Sequence, residues 1–472
     1  MSAYTPFDRE LQELEANDLS ALMKATEGWY LEYKREVPNA TSIAKSISAF
    51  ANTYGGWLFY GVQELSKEDS VAGSFPGVPR NEVDAALQRI RQAVAMQANP
   101  TPHFDCRVVW GPCEAISLAE NRGVICVHVP WSASAPHVHK NGHIYRRVGD
   151  GSEPKPENDR FLLDQLWRRA DNLRDEYRQW VERDPEFSKG EKEQPYVRLL
   201  LVADVWGDRN LWTNLSLAEI REIMGVTQGL ISGLPFDVVY TAANGFVARQ
   251  GRNNDPHNLG LTWRLRPNLV SDVLMPLNFY STEDVGQIEQ MLDGYSGATQ
   301  FAKALKTHGY KAPRIVDLNV LFNVLVGVVE IQRRLFERVK WKDGFFAKTR
   351  LMNVWRTCPF VDVKAVLDGF SQFGVPMCLD GIVTSPPGTA PESFVAISPF
   401  DDLDEEQAII YCQALLLFAP VARAFGVPGW LDTTDETKDT PYYWELQNAG
   451  QRAMEVQKIY NEKADSKATR RR

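Results

Sequence analysis

The sequence lacks the features that mark several large classes of protein. Its six cysteines include no Cys-x-x-Cys pair, which disfavours structural zinc sites and redox motifs of that type. Its longest apolar run, at residues 408–422, is interrupted by Gln413 and Pro420 and is shorter than the ~20 residues of a membrane span, so we expect a core helix there. The first residues show no charged-then-apolar secretory pattern. We therefore expect a reduced, cytoplasmic protein without a membrane partner.

The sequence also lacks an excess of positive charge. Lys and Arg number 52 against 61 Asp and Glu, and the formal net charge is −9. Bulk electrostatics therefore do not favour nucleic-acid binding, and any such binding has to depend on a local cluster of cations. The run Asn52–Gly56 is the nearest approach to a phosphate loop, but it lacks the Gly-x-x-x-x-Gly-Lys-Ser/Thr spacing. We expect a structural turn there, and no residue pattern predicts a cofactor-binding loop.

The composition is that of an ordinary globular protein, with 44% hydrophobic, 11% aromatic and 24% charged residues over 472 positions. We predict an α/β domain at 18–156, a connecting helix and linker at 157–192, and a mixed α/β segment at 193–270. A mainly helical C-terminal region follows at 271–472. Residues 216–234 read as two short helices around Gly225, so they form either a helix-turn-helix, as in a winged helix, or ordinary packing within the mixed segment.

The most informative stretch lies between residues 27 and 64. A two-residue period in a predicted strand places Glu32 and Lys34 on one face. Apolar residues at helical spacing follow from Asn39 to Asn52, and a glycine pair ends that helix. The next segment, WLFYGV, is apolar on both faces, so we predict a buried strand that delivers Glu64 just beyond its end.

If these two strands pair, Glu27, Glu32 and Glu64 converge beside Lys34, because paired strands lie only about 4.8 Å apart. Clustered carboxylates need a cation or a proton, and oxygen ligands select Mg²⁺ or Mn²⁺. Such an ion would suit phosphodiester cleavage, with Lys34 holding the phosphate. From spacing alone, however, charged residues on an edge strand more often form a solvated face.

The same stretch resembles the Schlafen-type AlbA domain over about residues 18–156. The residues that carry the resemblance are Glu27, Glu32-Tyr33-Lys34, the run 49–56 (Ala-Phe-Ala-Asn-Thr-Tyr-Gly-Gly), Gly61-Val62-Gln63-Glu64 and His143–Gly149. The resemblance implies a metal-dependent endoribonuclease that cleaves transfer RNA or other structured RNA. Its metal ligands would be Glu27, Glu32 and Glu64, with Lys34 completing the catalytic set. The sequence departs from the family at Glu64, where the family pattern has Asp, and this difference puts turnover in doubt.

The family resemblance also implies alternatives without cleavage. Many relatives are described as DNA-binding or ATP-binding transcriptional regulators, so a non-catalytic regulator is the competing interpretation. A defence or stress-response component with a sensing C-terminal region is a third.

Five basic residues are candidates for contacting RNA or DNA: Lys34, Arg35, Lys45, Arg146 and Arg147. The alternative is that these residues are scattered, solvated charges that form no binding face. Since neighbouring strand residues point to opposite faces, only one of the two adjacent arginines can line a groove. A single domain of this size is small for enclosing an RNA helix, so we also expect a homodimer.

Overall fold

The structure is a computed structural model that describes residues 4–9, 11–66, 68–149, 153–205, 215–225, 231, 234, 236–250, 259–400, 403, 405–427 and 445–456. Its chain divides into two compact units. The first comprises Met1–Tyr177 with Trp206–Trp212, and the second Arg178–Val205 with Thr213–Arg472.

The first unit alternates short strands with helices. Its strands are β1 (Leu31–Lys34), β2 (Gly56–Tyr60), β3 (Gln63–Glu64), β4 (Ala72–Ser74), β5 (Val78–Pro79), β6 (Ala98–Asn99), β7 (Asp105–Trp110), β8 (Arg122–Val129), β9 (Val138–His139), β10 (Tyr145–Arg146) and β11 (Lys155–Pro156). Its helices are α1 (Ala40–Asn52), α2 (Val83–Gln97), α3 (Arg160–Trp167) and α4 (Arg169–Glu182), of which α4 contains the division between the units.

The predicted strand–helix–strand start is confirmed. Strand β1 pairs in parallel with β2, with Glu32 opposite Leu58. Helix α1 begins where the side chain of Asn39 accepts a hydrogen bond of 2.9 Å from the Ser42 amide, as an N-cap residue does. The sheet order is β1-β2-β8-β5, and β7 pairs with β8 as well.

Apolar side chains cover both faces of this sheet, which explains why β2 is buried along its whole length. Ile43, Ile47 and Phe50 of α1 pack with Leu58 and other residues on one face. A second cluster, which includes Tyr33 and Phe59, lies on the other face. The sheet is therefore fixed from both sides, and the strand ends that carry Glu32 and Lys34 have a rigid support.

The glycine pair after α1 is required by backbone geometry. Gly55 has φ +74° and Gly56 has φ +153°. A Cβ on Gly55 would lie 2.7 Å from the carbonyl oxygen of Val129, and one on Gly56 would lie 2.6 Å from that of Tyr30. Only glycine lets the chain turn so tightly from the helix into β2.

The second unit contains more strands than the sequence predicts. Its strands are β12 (Tyr196–Val202), β13 (Val238–Ala242), β14 (Gly245–Arg249), β15 (Thr262–Leu265), β16 (Ser271–Pro276), β17 (Asn278–Ser281), β18 (Arg314–Asp317), β19 (Phe345–Met352), β20 (Thr357–Phe360), β21 (Ile382–Ser385) and β22 (Val395–Ile397). Its helices are α5 (Leu217–Gly225), α6 (Ile288–Met291), α7 (Ala298–Thr307), α8 (Leu318–Arg338), α9 (Lys364–Phe373) and α10 (Glu406–Ala424), and residues 445–456 are also helical.

One sheet crosses the boundary predicted at residue 270. Its order is β13-β14-β15-β16-β12-β19-β21, and β22 pairs with β19. Seven strands of the described chain lie in the region 271–472 among its helices, so this region contains both kinds of element and the prediction of a mainly helical region is not confirmed. The apolar patterns of α8 and α10 are visible in the sequence, whereas the short strands between them carry no long alternating signal.

Two further predictions concern helices of this unit. Helix α5 covers the first half of the helix-turn-helix candidate, while residues 226–230, 232 and 233 lie outside the described residues, so the winged helix stays a prediction. Among the described residues, α10 is the single helix long and apolar enough to cross a membrane. It packs against α8 within this unit.

Candidate active site

The end of β1 and the exit from β2 lie side by side at the predicted site. Amides of Gly61 and Val62 both donate to the carbonyl oxygen of Lys34, at 2.8 and 3.2 Å. This link holds the segment that leads to Glu64 beside the end of β1. The negative charge of Glu64 is close enough to raise the pKa of Glu27.

Glu32 is the most enclosed of the three glutamates, with 1% of its surface exposed. Its Oε2 accepts a hydrogen bond of 2.8 Å from Arg147 Nη1, and its Oε1 accepts one of 2.9 Å from Ser46 Oγ. The Lys34 ammonium lies 3.2 Å from Oε1. Two cations and a hydroxyl group therefore satisfy both carboxylate oxygens.

Arg147 is fully buried and ties the site to its surroundings. Its Nε and Nη2 donate to the carbonyl oxygen of Gly28 at 3.0 and 2.6 Å, and Nη2 also reaches that of Leu31 at 3.2 Å. The guanidinium lies over the ring of Phe50, 4.7 Å from its centroid. Burial lowers the pKa of Arg147, while the charges of Glu32 and Glu27 oppose this effect.

The prediction that Arg147 contacts nucleic acid is therefore wrong. Its side chain has no exposed surface, and its guanidinium forms an ion pair with the buried carboxylate of Glu32. Arg147 is a structural partner of Glu32. Sequence reasoning found the arginine pair and expected only one of the two to reach a groove, but it could not identify the carboxylate 115 positions away.

Glu27 has one oxygen available. Its Oε1 accepts a hydrogen bond from the Tyr33 amide, while its Oε2 is buried and has no hydrogen-bond partner. Burial raises the pKa of Glu27 to about 7; the Tyr33 hydrogen bond and Lys34 lower it, and the charges of Glu64 and Glu32 raise it. A carboxyl group with such a pKa can exchange a proton near neutral pH.

The geometry permits only part of the predicted metal ligand set. Among the residues that the structure describes, no group of three or more His, Cys, Asp or Glu side chains is arranged to hold an ion. Glu32 does not fit as a ligand, because Arg147, Ser46 and Lys34 take its oxygens. The orphaned Oε2 of Glu27 and the part-exposed carboxylate of Glu64 fit better, since Mg²⁺ is often bound through one or two carboxylates and water.

The other predicted cations differ in their surroundings. Lys34 keeps 34% of its side chain exposed, and Arg35 is exposed and donates to Gln63 at 3.4 Å. Lys45 lies over the Tyr145 ring at 5.1 Å. Arg146 is largely buried and forms an ion pair of 2.8 Å with Glu157. Lys34 and Arg35 therefore offer accessible charge beside the carboxylates.

Sequence reasoning missed Ser46, which donates to Glu32 from the buried face of α1. A signal was present, because a serine among the apolar positions of a helix needs a hydrogen-bond partner once it is buried. Nothing local to Ser46, however, identifies that partner.

One comparison with known proteins matches a family model within the first unit. Residues 27–156 match the family model described as "Schlafen, AlbA_2". A search of curated proteins finds no match. Among solved structures, a similarity is found to the DIP2311 protein from Corynebacterium diphtheriae, with 15% identity, a TM-score of 0.19, and coverage of 41% of this chain and 29% of that one.

The family match covers the strands, the helix and the arginine that form the carboxylate site, and it points to a nucleic-acid-related function. Residues 27–156 of this chain are therefore a Schlafen AlbA_2 domain.

Proposed function

We propose that this chain acts on nucleic acid and that its Schlafen AlbA_2 domain is a divalent-metal-dependent endoribonuclease for structured RNA such as transfer RNA. The observation that carries the proposal is the buried, unpartnered Oε2 of Glu27, which lies within electrostatic range of Glu32, Lys34 and Glu64. A buried carboxylate oxygen without a partner is costly unless a ligand engages it.

Each residue then has a distinct task. Glu27 and Glu64 would hold Mg²⁺ or Mn²⁺, and the bound ion would polarise a phosphoryl oxygen or activate a water. The part-exposed Lys34 ammonium binds the scissile phosphate and stabilises its negative charge. Glu32 positions that ammonium at 3.2 Å and is itself fixed by Arg147, so it is a positioning residue rather than a ligand.

The direct test is cleavage of transfer RNA by the purified full-length chain in the presence of Mn²⁺. We expect Glu27→Gln to lower the cleavage rate by about 10- to 100-fold or more, since even outer residues of metal sites have effects of that size. Glu82→Gln is the matched control, because Glu82 is an exposed glutamate in the same domain, and it should cleave as wild type does. Equal cleavage by Glu27→Gln and wild type would refute the assignment.

A second variant tests the departure from the family pattern. Glu64→Asp restores the shorter carboxylate and should raise the cleavage rate, because tolerance in an active site is only about 0.5 Å. A rate that falls would show that the glutamate suits this site and that the departure does not limit turnover.

The second candidate function is nucleic-acid binding without cleavage, as in a DNA-binding regulator. The engagement of both Glu32 oxygens by protein groups favours it, because that carboxylate is already neutralised without an ion. Electrophoretic mobility shift in excess chelator separates the two functions. Sequence-selective binding of duplex DNA without cleavage of RNA in Mn²⁺ would decide for the second candidate, and neither binding nor cleavage would refute both.

We also propose a cytoplasmic homodimer as the acting form, since one small domain encloses little of an RNA helix. Light scattering in the presence of transfer RNA should give the mass of two chains. A monodisperse monomer that still binds transfer RNA would contradict this proposal.

A further inference from the structure

Four aromatic side chains form a continuous surface on the first unit, which we call the aromatic surface: Tyr4, Tyr30, Tyr54 and Trp29. The rings of Tyr4 and Tyr30 stack at 5.1 Å with an interplanar angle of 26°. Tyr54 contacts both Tyr30 and Trp29, at ring distances of 6.1 and 5.6 Å. Tyr4, Trp29 and Tyr54 keep 38%, 38% and 44% of their surface exposed.

The backbone holds this surface in place. Tyr30 immediately precedes β1, and its carbonyl oxygen accepts a hydrogen bond of 2.7 Å from the Trp57 amide in β2. Tyr54 lies in the tight turn before Gly55. Trp29 packs so closely on Gly149 that a Cβ there would lie 2.5 Å from its Nε1. The rings are therefore preorganised, which lowers the entropy cost of binding a ligand.

A cleft of about 510 Å³ begins at Tyr54 and carries charges of both signs, because Glu176 lines it beside two arginines and Nη1 of Arg146 pairs with Glu157 at 2.8 Å. Arg146 and Arg169 line it together with Trp131. Arg169 lies over the Trp131 ring at 4.9 Å. The Nε of Arg146 is buried and has no hydrogen-bond partner, so a donor remains for a ligand oxygen. Aromatic faces next to arginine donors match the chemistry of bases joined by phosphates.

We infer that the aromatic surface and the adjoining cleft bind a single-stranded nucleic-acid segment, with unpaired bases stacked on the exposed rings of Tyr54 and Trp29 and a phosphate near Arg146. Flat rings favour this ligand over an aliphatic protein face, because every base offers a π-face to stack on. The inference rests on the proposed function and extends it, since it assigns single-stranded segments to a surface made of other residues than the carboxylate site.

The test is fluorescence anisotropy with labelled oligouridylate and oligodeoxythymidylate of about 12 nucleotides, within the site sizes of single-strand-binding proteins. Full-length protein is measured in chelator, so that cleavage does not interfere. We expect Tyr54→Ala to weaken binding by about 5- to 150-fold, the equivalent of losing one stacked base. Tyr54→Phe keeps the ring and should bind as wild type does.

Tyr240→Ala is the matched control, because Tyr240 is 42% exposed on β13 of the second unit. It should leave the affinity unchanged. Comparison of the two oligonucleotides distinguishes RNA from DNA as the preferred strand. A duplex of the same length should bind more weakly than either, since its bases are already stacked.

Salt dependence separates stacking from charge. Each phosphate contact with a single strand contributes about −0.7 to the slope of log K against log salt. Tyr54→Ala should lower the affinity by the same factor at every salt concentration and leave the slope unchanged. A slope that changes with Tyr54→Ala would show that the variant disturbs cations rather than a stacked base, and would overturn the inference.

The remaining outcomes are also decisive. If wild type binds the oligonucleotides and Tyr54→Ala and Trp29→Ala bind equally well, the aromatic surface is not the binding site and this inference fails while the proposed function stands. If wild type binds no nucleic acid at all, the proposed function fails with it. If Tyr54→Ala instead abolishes self-association and leaves oligonucleotide binding intact, the surface is an interface between two copies.

Discussion

The ion pair between Glu32 and Arg147 should be essential to the stability of the Schlafen AlbA_2 domain. Glu32 is 1% exposed and Arg147 is fully buried. Replacing Glu32 by Leu keeps a similar volume but leaves a buried guanidinium without its carboxylate. Breaking a buried pair in this way costs about 3–5 kcal/mol. The carbonyl oxygens of Gly28 and Leu31 still accept from Arg147, so the lower part of this range is expected.

A double-mutant cycle isolates the pair itself. Arg147→Met alone should destabilise by a similar amount, because it leaves the Glu32 carboxylate with less compensation. In the double variant Glu32→Leu/Arg147→Met, the loss of unfolding free energy should be smaller than the sum of the two single losses by about 1–3 kcal/mol, because neither member of the pair is left buried without its partner. Lys34→Met is the control, because its ion pair with Glu32 is partly exposed and such pairs contribute about 0–1 kcal/mol.

Hydrogen-exchange mass spectrometry of the full chain gives the opening free energy of peptides from β1 and α1, so this domain is measured separately from the second unit. A loss below about 1 kcal/mol in Glu32→Leu, or strictly additive single losses, would refute the reasoning. The result also affects activity assays. If Glu32 holds the domain together, loss of cleavage in a Glu32 variant is not evidence for a catalytic carboxylate, which is why Glu27→Gln is the better test.

Three further predictions follow from buried or strained groups. The pKa of Glu27 is raised from 4.5 to about 7, so the folded state holds a proton that the unfolded state releases. The domain should therefore lose ~3 kcal/mol of unfolding free energy as pH rises from about 4.5 to about 7. Glu27→Gln, measured in chelator, should abolish this pH dependence. Gly55→Ala should destabilise the domain by about 2 kcal/mol or more, measured by hydrogen exchange, because φ is +74° and the new Cβ would lie 2.8 Å from the Trp131 amide nitrogen. An unchanged free energy of opening would contradict this turn geometry. Asp272→Asn should destabilise the second unit by about 3 kcal/mol, measured by hydrogen exchange of peptides from β12. Arg198 is 4% exposed and donates to both Asp272 oxygens, at 2.8 and 2.6 Å, so the substitution would leave a buried guanidinium without its carboxylate. Unchanged protection of these peptides from exchange would count against a buried ion pair.

The local elements of the first unit could be predicted because their signals are contained in a few neighbouring residues. A two-residue period, apolar residues at helical spacing from Asn39 to Asn52 and a glycine pair predict β1, α1 and the turn into β2, and the structure confirms all three. The same reasoning is less successful in residues 271–472. There short strands such as β18 join sheets whose partners are distant in sequence, so pairing rather than local pattern decides their structure.

Sequence alone therefore identified three glutamates and a lysine as candidate site residues, in a motif specific enough to identify the domain. Tertiary structure decided what each of them can do. Only the folded chain brings Arg147 to Glu32 from 115 positions away, which engages the carboxylate of one predicted ligand, while Oε2 of Glu27 is left without a hydrogen-bond partner. The physical reason is burial, because the partners that satisfy a charge inside a protein are set by packing and not by order along the chain.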